Sequence, residues 1–327
     1  MASEEASAFW VFGPGQGALR AEALEKPGKN DVLVETIASG VSRGTEALVF
    51  QGLVPESQHE KMRAPFQQGD FGFPLKYGYA SVGRVVAGVK KLIGQRVFCL
   101  HPHQDRYVVP AHAVVPVPKA VASGRAVLAA NMETALNGLW DMPPRIGDRI
   151  VVIGCGVVGV LAARLAADHP GTQVQIVDVN PKKAAIARAL DLPFVTADEA
   201  QGEADLVIHA SGHPDGLRTA FGLAGFEASI LDLSWYGDRE VSLPLGEDFH
   251  SRRLRLISSQ VGQIAPAMRG RRSHRQRLSL ALRLLADERF DILLAPPRHF
   301  SQLPTIMAEL VEGGDDIMCQ LITYRQK

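Results

Sequence analysis

Cysteine is scarce in this sequence, and the few that occur lie too far apart to suggest a shared role. Cys99, Cys155 and Cys319 are the three cysteines among 327 residues, and no C-x-x-C pair is present. An odd, scattered set argues against a disulfide framework and against a cysteine-based zinc site. Free thiols are typical of a reducing compartment, so we expect a cytoplasmic protein.

The sequence also lacks an excess of charge of one sign and lacks long apolar runs. Lys and Arg number 35, Asp and Glu also number 35, and the formal net charge is zero. Without an overall positive field, nothing attracts nucleic acid or an anionic membrane. The apolar runs end short of the ~20 residues of a membrane span, and Met1–Ala8 lacks the basic region of a signal peptide. We expect a small-molecule substrate, with neither nucleic acid nor membrane as partner.

The composition is that of a globular protein, and the pattern changes along the chain. Apolar residues make up 46% and charged residues 21%, and the length favours two domains. Residues 1–120 are rich in glycine, proline and short β-type runs, which indicates a mostly-β unit. From Arg149 to Gly262, β runs alternate with helical stretches, which predicts an α/β domain with a doubly wound parallel sheet. We expect residues 1–120 plus 265–327 to form one domain, with residues 121–264 inserted as a Rossmann domain.

The alternating elements can be bounded from their apolar pattern. The expected strands are Ile150–Ile153, Val174–Val177, Leu206–His209, Ser229–Leu233 and Arg255–Ser258. The expected helices are Val157–Ala167, Lys182–Leu190, Asp215–Ala224, His274–Ala286 and Pro304–Glu312. Between the last two helices we expect an extended segment, Asp291–Leu294, and a Pro-Pro turn, and after them a strand, Ile317–Thr323.

A glycine-rich turn joins the first expected strand to the first expected helix of the α/β part. The motif G-x-G-x-x-G falls on Gly154, Gly156 and Gly159, and the helix opens with Val157 and Val158. The first glycine permits the tight turn, the second lets a pyrophosphate approach the backbone, and the third lets helix and strand pack closely. The N-terminus of the helix then offers N–H groups to phosphate. This context predicts a dinucleotide site.

An acidic residue ends the next expected strand. Asp178 lies near the ~20-residue offset at which a carboxylate meets the adenosine ribose in such sites. A carboxylate accepts hydrogen bonds from ribose hydroxyls and repels a 2′-phosphate, so NAD is favoured over NADP. Lys183 and its neighbours could soften that repulsion or could lie on a solvated helix face.

Two N-terminal segments carry a family resemblance in addition to the glycine-rich turn. The run SGVSRGTE, residues 39–46, resembles a G-[IV]-C-x-[ST]-[DE] loop, and KYGYASVGRV, residues 76–85, resembles a G-H-E-x-x-G-x-V block. Over nearly its whole length the chain thus resembles the medium-chain dehydrogenases/reductases, the superfamily of the zinc-type alcohol dehydrogenases. The resemblance implies a mostly-β GroES-like catalytic domain that contains the Rossmann domain, and a homodimer. The segments SRGTE, GYASVG and LSWYG are also similar to the bacteriochlorophyllide hydroxyethyl dehydrogenase branch, from which no substrate is transferred.

The departures from the family pattern concern zinc. Where zinc-binding members have a cysteine, a histidine and a glutamate, this chain has Ser42, Tyr79 and Ala80. Glu133 could be a ligand in the third region, but its partners are missing, and the cysteine-rich zinc loop is absent too. We therefore expect no metal site. His101 and His103 could form one with Cys99, or could be partly exposed residues at a strand end.

Without a metal, hydrogen-bond donors must polarise the substrate. The resemblance places Tyr79 where relatives have a zinc ligand, so its phenol could donate to a substrate oxygen or simply fill space. Ser42 and Thr45 lie on the corresponding ligand loop, and Glu133 lies near the expected nicotinamide position. Lys76 is either a further donor or a solvated surface residue. The candidate catalytic residues are Tyr79, Ser42, Thr45 and Glu133.

The resemblance and the ends of the expected parallel strands add cofactor contacts to those of the glycine-rich turn. Arg43 matches a position whose basic side chain meets the pyrophosphate, and Thr134 one that packs on the nicotinamide. Carboxyl ends of parallel strands line the ligand crevice, which adds further residues. These are Ser211, Gly212, Ser234, Trp235 and Tyr236, of which the two aromatic residues could instead pack in the core.

Two functions follow from these residues. The first is a zinc-independent NAD(P)-dependent oxidoreductase that moves a hydride between a nicotinamide and a carbonyl, an alcohol or an activated alkene. The second is a catalytically silent dinucleotide-binding protein that senses redox state or scaffolds a partner. The arginine-rich run of residues 269–277 is either a solvated face or an anion contact.

Overall fold

The computed structural model describes residues 5–313 and 317–324. The chain divides into two compact units, the first made of Met1–Ala130 and Leu278–Lys327 and the second of Asn131–Arg277. The divisions therefore lie ten or more residues beyond those expected at 120 and 264. The salt bridge of Arg125 with Asp291, at 2.8 Å, links the two segments of the first unit beyond the first expected division.

The strands are numbered along the chain. In residues 5–130 they are β1 (Glu5–Gly13), β2 (Gln16–Ala23), β3 (Asp31–Ser42), β4 (Gln68–Gly69), β5 (Leu75–Lys76), β6 (Ser81–Gly88), β7 (Arg96–Cys99), β8 (Arg106–Pro110) and β9 (Val115–Pro116). The later strands are β10 (Arg149–Ile153), β11 (Gln173–Val177), β12 (Phe194–Val195), β13 (Ala204–His209), β14 (Ala224–Asp232), β15 (Arg255–Ser258), β16 (Leu294–His299) and β17 (Cys319–Thr323).

The α-helices are numbered in the same way. They are α1 (Arg43–Phe50), α2 (Ser123–Ala126), α3 (Ala129–Asp141), α4 (Val157–Ala167), α5 (Ala184–Ala189), α6 (Pro214–Leu223), α7 (Asp248–Ser251), α8 (His274–Leu284) and α9 (Leu303–Glu312). Short 3-10 helices lie at Glu56–Gln58, Lys90–Leu92, Pro181–Lys183, Pro266–Met268, Glu288–Leu293 and Phe300–Gln302. No helix in the described part of the chain is long and apolar enough to cross a membrane.

The second unit is built on a parallel sheet with the strand order β12-β11-β10-β13-β14-β15. Its central strand β10 is buried from Ile150 to Ile153, as expected for a strand covered on both faces. Helix α6 packs on the sheet through Leu217 and Phe221. Chain order and strand order together are those of a doubly wound Rossmann fold, so the α/β prediction is confirmed.

The first unit contains a four-stranded sheet with the strand order β2-β1-β5-β4. It also contains a seven-stranded sheet, in which six strands have the order β16-β17-β3-β6-β7-β9 and the seventh, β8, pairs with β3. Strand β3 runs through the centre of the larger sheet and pairs with β17, β6 and β8. The tail of the chain thus joins the N-terminal β structure through β17. Helix α9 packs Ile306 and Leu310 into a core that includes Phe9 and Phe50.

Three local expectations for the first unit were wrong. The segment that follows Ser42 is helix α1 and not a loop. The two prolines Pro296 and Pro297 lie within strand β16 at the edge of the sheet, where a missing N–H is tolerated, and do not form a turn. The segment 291–293 belongs to a 3-10 helix and is not extended.

Candidate functional site

The glycine-rich turn of the second unit has the geometry that its three glycines require. Gly154 has φ of +105°, a region that side-chain-bearing residues avoid. A Cβ on Gly159 would lie 1.9 Å from the carbonyl oxygen of Gly154, so helix α4 can approach β10 only without that atom. A Cβ on Gly156 would meet nothing within 4 Å, which leaves the turn open on that side. Val157 and Val158 then begin α4 and present its first N–H groups.

Asp178 is held directly against this turn. Its Oδ2 accepts hydrogen bonds from the backbone N–H of Cys155 at 2.7 Å and from Lys183 Nζ at 3.0 Å, and its Oδ1 accepts one from the backbone N–H of Asn180 at 2.9 Å. The structure thus brings the two predicted residues Asp178 and Lys183 together as an ion pair beside the glycine-rich turn. Lys183 reduces the negative charge that Asp178 would present to a ribose substituent.

The carboxyl ends of β13 and β14 form a polar cluster next to the same turn. A Cβ on Gly154 would lie 2.7 Å from the backbone nitrogen of Ser211, so the two loops touch. Ser234 Oγ accepts a hydrogen bond from the backbone N–H of Gly212 at 3.0 Å. Trp235 follows and is partly buried. The predicted residues Ser211, Gly212, Ser234 and Trp235 therefore share the edge of the sheet at which a ligand of a doubly wound fold binds.

Two residues of this cluster were missed from the sequence. His209 is fully buried at the end of β13, and Asp232 ends β14 beside it; His209 Nδ1 lies 2.9 Å from Asp232 Oδ1. Tyr236 stacks on the imidazole and donates its hydroxyl proton to Asp232 Oδ2 at 2.9 Å. The available signal was a histidine and an aspartate that each end an apolar strand at neighbouring positions of the sheet.

In the first unit, three of the predicted catalytic residues converge. The Tyr79 hydroxyl lies within hydrogen-bonding reach of the side chains of Ser42 and Thr45. Ser42 ends β3, Thr45 lies in the first turn of α1, and Tyr79 lies between β5 and β6. The ring of Tyr77 meets that of Tyr79 edge to face, with centroids 6.0 Å apart. The phenol is therefore oriented by two hydroxyls and one aromatic ring.

The environment of Tyr79 keeps its phenol protonated. Burial raises the pKa of Tyr79 well above its usual value, the negative charge of Glu46 raises it further, and the hydrogen bonds of Ser42 and Thr45 only partly oppose this. A neutral phenol at neutral pH is a hydrogen-bond donor and a potential proton donor. It could polarise a carbonyl oxygen.

Glu46 belongs to a buried hydrogen-bond chain beneath this cluster. Its Oε1 accepts from the backbone N–H of Ser42 at 2.9 Å, and its Oε2 lies 2.8 Å from His103 Nε2. His103 Nδ1 in turn lies 2.7 Å from Ser39 Oγ, which is 2.9 Å from the Tyr324 hydroxyl. This chain fixes the start of α1 and thereby the position of Ser42. It draws on segments far apart in the sequence, which is why sequence reasoning did not find it.

Both histidines after β7 are buried, so the expectation of partly exposed residues was wrong. His101 stacks on Tyr107 with ring centroids 3.7 Å apart, and burial lowers the pKa of His101 to about 3. Lys76 is also buried, and its Nζ lies 2.7 Å from Glu22 Oε2 and 3.0 Å from Gln104 Oε1. The solvated alternative for Lys76 was therefore wrong. Burial lowers the pKa of Lys76, and Glu22 opposes this.

Glu133 lies on α3 of the second unit, where it forms a buried ion pair. Arg277 Nε is 3.0 Å from Glu133 Oε1, and both side chains are almost fully inaccessible. Burial raises the pKa of Glu133, and the Arg277 charge works against that shift. Thr134 is the next residue and is partly buried. Arg277 is the buried end of an arginine-rich run whose other arginines are partly or fully exposed.

The side chains present do not suit a zinc ion at the family position. Ser42 and Tyr79 supply hydroxyls, Ala80 supplies no ligand, and the structural partner of Glu133 is a guanidinium. In residues 5–313 and 317–324, no three His, Cys, Asp or Glu side chains come together as a metal site. Cys99, Cys155 and Cys319 are buried and unpaired.

Comparison with known proteins places this geometry in context. No protein-family model matches the chain. A curated relative, 2-desacetyl-2-hydroxyethyl bacteriochlorophyllide A dehydrogenase of Cereibacter sphaeroides, is 32% identical over 181 residues, which is 49% of this chain and 52% of the relative. The matched region thus spans about half the length of that relative.

Solved structures match over almost the whole chain. A putative zinc-binding dehydrogenase from Sinorhizobium meliloti 1021, bound to NADP, superposes with a TM-score of 0.78 at 17% identity and covers 98% of this chain and 99% of its own. The short chain alcohol dehydrogenase RspB of Escherichia coli CFT073, in complex with NADH, gives a TM-score of 0.78 at 16% identity, with 98% and 99% coverage. At these identities the superpositions establish the fold.

Proposed function

We propose that this chain is a zinc-independent NAD(P)-dependent oxidoreductase of the medium-chain dehydrogenase/reductase type. Its fold and its similarity to a curated dehydrogenase over about half of the chain support this proposal. The reaction would transfer a hydride between a nicotinamide cofactor and a carbonyl, an alcohol or an activated alkene of a small molecule. When bound, the nicotinamide supplies or accepts the hydride. The chain supplies the binding turn and the proton donor.

The open glycine-rich turn is the observation that carries this proposal. Gly154 and Gly159 are sterically required, and the space beside Gly156 is open, so a pyrophosphate could approach the backbone there. The N-terminus of α4 offers N–H groups and a partial positive charge to a pyrophosphate. Similar structures contain NADP or NADH, which supports a nicotinamide dinucleotide here.

We propose NAD as the preferred cofactor. The Asp178 carboxylate at the end of β11 suits ribose hydroxyls, although its ion pair with Lys183 reduces the repulsion of a 2′-phosphate. Further contacts stay predictions that the sheet edge or the family pattern supports. They concern Arg43, Thr134, Val157, Val158, Ser211, Gly212, Ser234 and Trp235.

For the chemical step we propose that Tyr79 donates a hydrogen bond, and then a proton, to the substrate oxygen. Its raised pKa keeps the phenol protonated as a hydrogen-bond donor, and its hydrogen bonds to Ser42 and Thr45 orient it. The proton would move only when hydride transfer turns the substrate oxygen into a strongly basic alkoxide. Glu133 as a catalytic residue stays a prediction; its ion pair with Arg277 supports a role in holding α3. The hydroxyl-rich donor set supports catalysis without zinc.

A homodimer and a cytoplasmic location also stay predictions. The family resemblance supports a dimer formed by edge strands of the Rossmann sheet, and β15 is one of the two edge strands of the described sheet. The unpaired buried thiols agree with a reducing compartment.

The proposal is tested by following the hydride. The full-length chain is incubated with NADH deuterated at the transferable position and with a mixture of aldehydes, ketones, quinones and enones, and the products are analysed by mass spectrometry. We expect one deuterium in at least one reduced product, and less of it with NADPH as donor. NADH binding without deuterium transfer to any member of the mixture would contradict the enzymatic function.

A further inference from the structure

The second unit contains a Ser–His–Asp relay that hydride transfer does not require. His209 Nε2 lies 2.7 Å from Ser211 Oγ, and His209 Nδ1 lies 2.9 Å from Asp232 Oδ1. An ionised carboxylate can only accept, so Nδ1 carries the proton and Nε2 is left to accept the proton of Ser211. When serine, histidine and aspartate are hydrogen-bonded in this way, the histidine can take the serine proton and the hydroxyl oxygen becomes a nucleophile. The arrangement does not depend on the order of the three residues in the sequence.

The aspartate of the relay is held as a carboxylate. Besides His209, the backbone N–H of Ser234 donates to Asp232 Oδ1 at 2.9 Å and the Tyr236 hydroxyl donates to Oδ2 at 2.9 Å. Burial acts to raise the pKa of Asp232, but the hydrogen bond and charge interaction with His209, followed by the hydrogen bonds of Ser234 and Tyr236, outweigh it, and the pKa lies below its ordinary value. Asp232 is therefore ionised at neutral pH, as an orienting carboxylate must be.

The serine of the relay is exposed on a turn between a strand and a helix. Ser211 follows β13 and precedes α6, and the next residue, Gly212, has φ of +68°. A nucleophilic serine on a sharp strand-to-helix turn stands clear of the sheet, where a substrate can reach it. The backbone N–H of His213 donates to Ser211 Oγ at 3.2 Å and fixes its position.

A helical glycine makes room for the relay. A Cβ on Gly216 would lie 2.3 Å from Ser211 Oγ and 2.9 Å from His209 Nε2, so a side chain there would displace the hydrogen bond between them. Gly216 belongs to the first turn of α6, where backbone N–H groups have no partner within the helix. Such groups are the kind of donor that stabilises an oxyanion.

We propose that Ser211 is an acyl-accepting nucleophile for small esters, with His209 as general base and Asp232 as the residue that orients it. Ser211 Oγ attacks the ester carbonyl carbon while its proton passes to His209 Nε2. The bond to the leaving alkoxide then breaks, and His209 returns the proton to that alkoxide. Water, deprotonated by His209, attacks the acyl-serine, and the carboxylic acid and the Ser211 hydroxyl are released.

This activity shares space with the proposed cofactor. A Cβ on Gly154 would lie 2.8 Å from the Cα of Ser211, so the nucleophile adjoins the glycine-rich turn. If the proposed function holds, a bound dinucleotide covers Ser211, and acylation and cofactor binding exclude each other.

The nucleophile is tested with a fluorophosphonate probe on the full-length chain without cofactor. The Ser211 oxygen would form a bond to phosphorus, and fluoride would leave together with the serine proton as HF. Mass spectrometry of peptides should find the adduct on Ser211. Ser211→Ala should abolish the adduct, and Asp232→Asn should slow its formation about 100-fold or more. Ser251 is an exposed serine of the same unit, and Ser251→Ala should leave the rate of adduct formation unchanged. No adduct on Ser211 of the folded protein, or a rate indifferent to Asp232→Asn, overturns the proposal.

A second measurement uses p-nitrophenyl acetate. We expect p-nitrophenol release that depends on Ser211 and is suppressed by saturating NADH. If p-nitrophenol release is unchanged in saturating NADH, the claim that cofactor and ester occupy the same site is wrong. If release persists in Ser211→Ala, Ser211 is not the nucleophile. Because the probe reaction needs no cofactor, its failure is distinguishable from a failure of NADH binding.

Discussion

The two units prepare their candidate sites by different means. In the second unit the candidate ligand-binding surface consists of backbone: glycines open a turn at the N-terminus of α4, and Asp178 lies beside it. In the first unit the candidate site is made of side chains, with the Tyr79 phenol oriented by Ser42 and Thr45. A backbone site depends on a few steric requirements within one short segment, whereas a side-chain site depends on several distant segments being in register.

This difference predicts that the two sites fail in different ways. Substitutions at the turn should change cofactor affinity, and substitutions around Tyr79 should change the chemical step with the cofactor still bound.

Removing the Tyr79 hydroxyl should separate chemistry from binding most strongly. Tyr79→Phe keeps the ring but loses the donor, and we expect kcat for carbonyl reduction to fall about 100-fold to 10,000-fold, the usual contribution of a general acid. The Kd for NADH, measured by fluorescence, should stay the same. Tyr77→Phe, which keeps the edge-to-face ring contact, is the matched control. A higher Kd for NADH with an unchanged kcat would show that Tyr79 binds the cofactor and is not the proton donor.

The pH dependence of the reduction rate tests the role of Tyr79 as the donor. The protonated phenol is the donor, and its pKa is raised by burial and by Glu46 above the usual value of 10.0. Reduction should therefore stay constant up to about pH 10 and decline only above it. Glu46→Gln removes the negative charge, so the alkaline decline should move to lower pH. If the reduction rate declined at the same alkaline pH in the unsubstituted protein and in Glu46→Gln, the proposed role of Tyr79 would be contradicted.

Removing one partner of a buried ion pair in the second unit should have the next largest effect, a loss of stability. Glu133→Leu would leave the Arg277 guanidinium buried without its carboxylate, and we expect a loss of about 3–5 kcal/mol in the free energy of unfolding by urea. The exposed pair of Arg149 and Asp205 is the comparison, and Asp205→Asn should cost at most about 1 kcal/mol. Equal losses from the two variants would show that burial does not decide the effect.

The third glycine of the turn gives a smaller, steric effect. In Gly159→Ala the new Cβ collides with the Gly154 carbonyl, and we expect a loss of about 1–3 kcal/mol in the free energy of unfolding together with weaker NADH binding. Gly222→Ala in α6 meets nothing within 4 Å and should stabilise by about 0.5–1 kcal/mol. Thermal and urea unfolding of both variants measures the difference.

Most elements of the second unit could be predicted from sequence, although β12 and α7 were missed and β14 begins five residues earlier than expected. Helix α4 and strand β15 have the predicted bounds, and β10 begins one residue earlier than expected. Strands buried on both faces are apolar throughout, and their helices repeat with a 3.6-residue period, so pattern and structure coincide. The glycine spacing follows from local sterics, which need no knowledge of the rest of the fold.

The first unit was less predictable for a physical reason. Strands β1 and β2 went unpredicted, although they pair with each other over most of their length. Helix α1 was taken for a loop, because the Glu46 carboxylate that accepts from the Ser42 backbone N–H is held by His103, which is distant in sequence. The residues around Tyr79 were chosen by family resemblance, and no spacing predicted the hydrogen bonds that orient them.

The most direct test of the account concerns the second glycine of the turn. Gly156 has φ of −86° and caps α4, and a side chain there meets nothing within 4 Å, so Gly156→Asp should fold with unchanged stability. Its carboxylate would stand where the pyrophosphate is proposed to bind, and isothermal titration calorimetry should show the NADH affinity of the natural chain reduced at least about 100-fold, about 2.7 kcal/mol. Equal NADH affinity in the two proteins, or no NADH binding by the natural chain, would contradict the central claim.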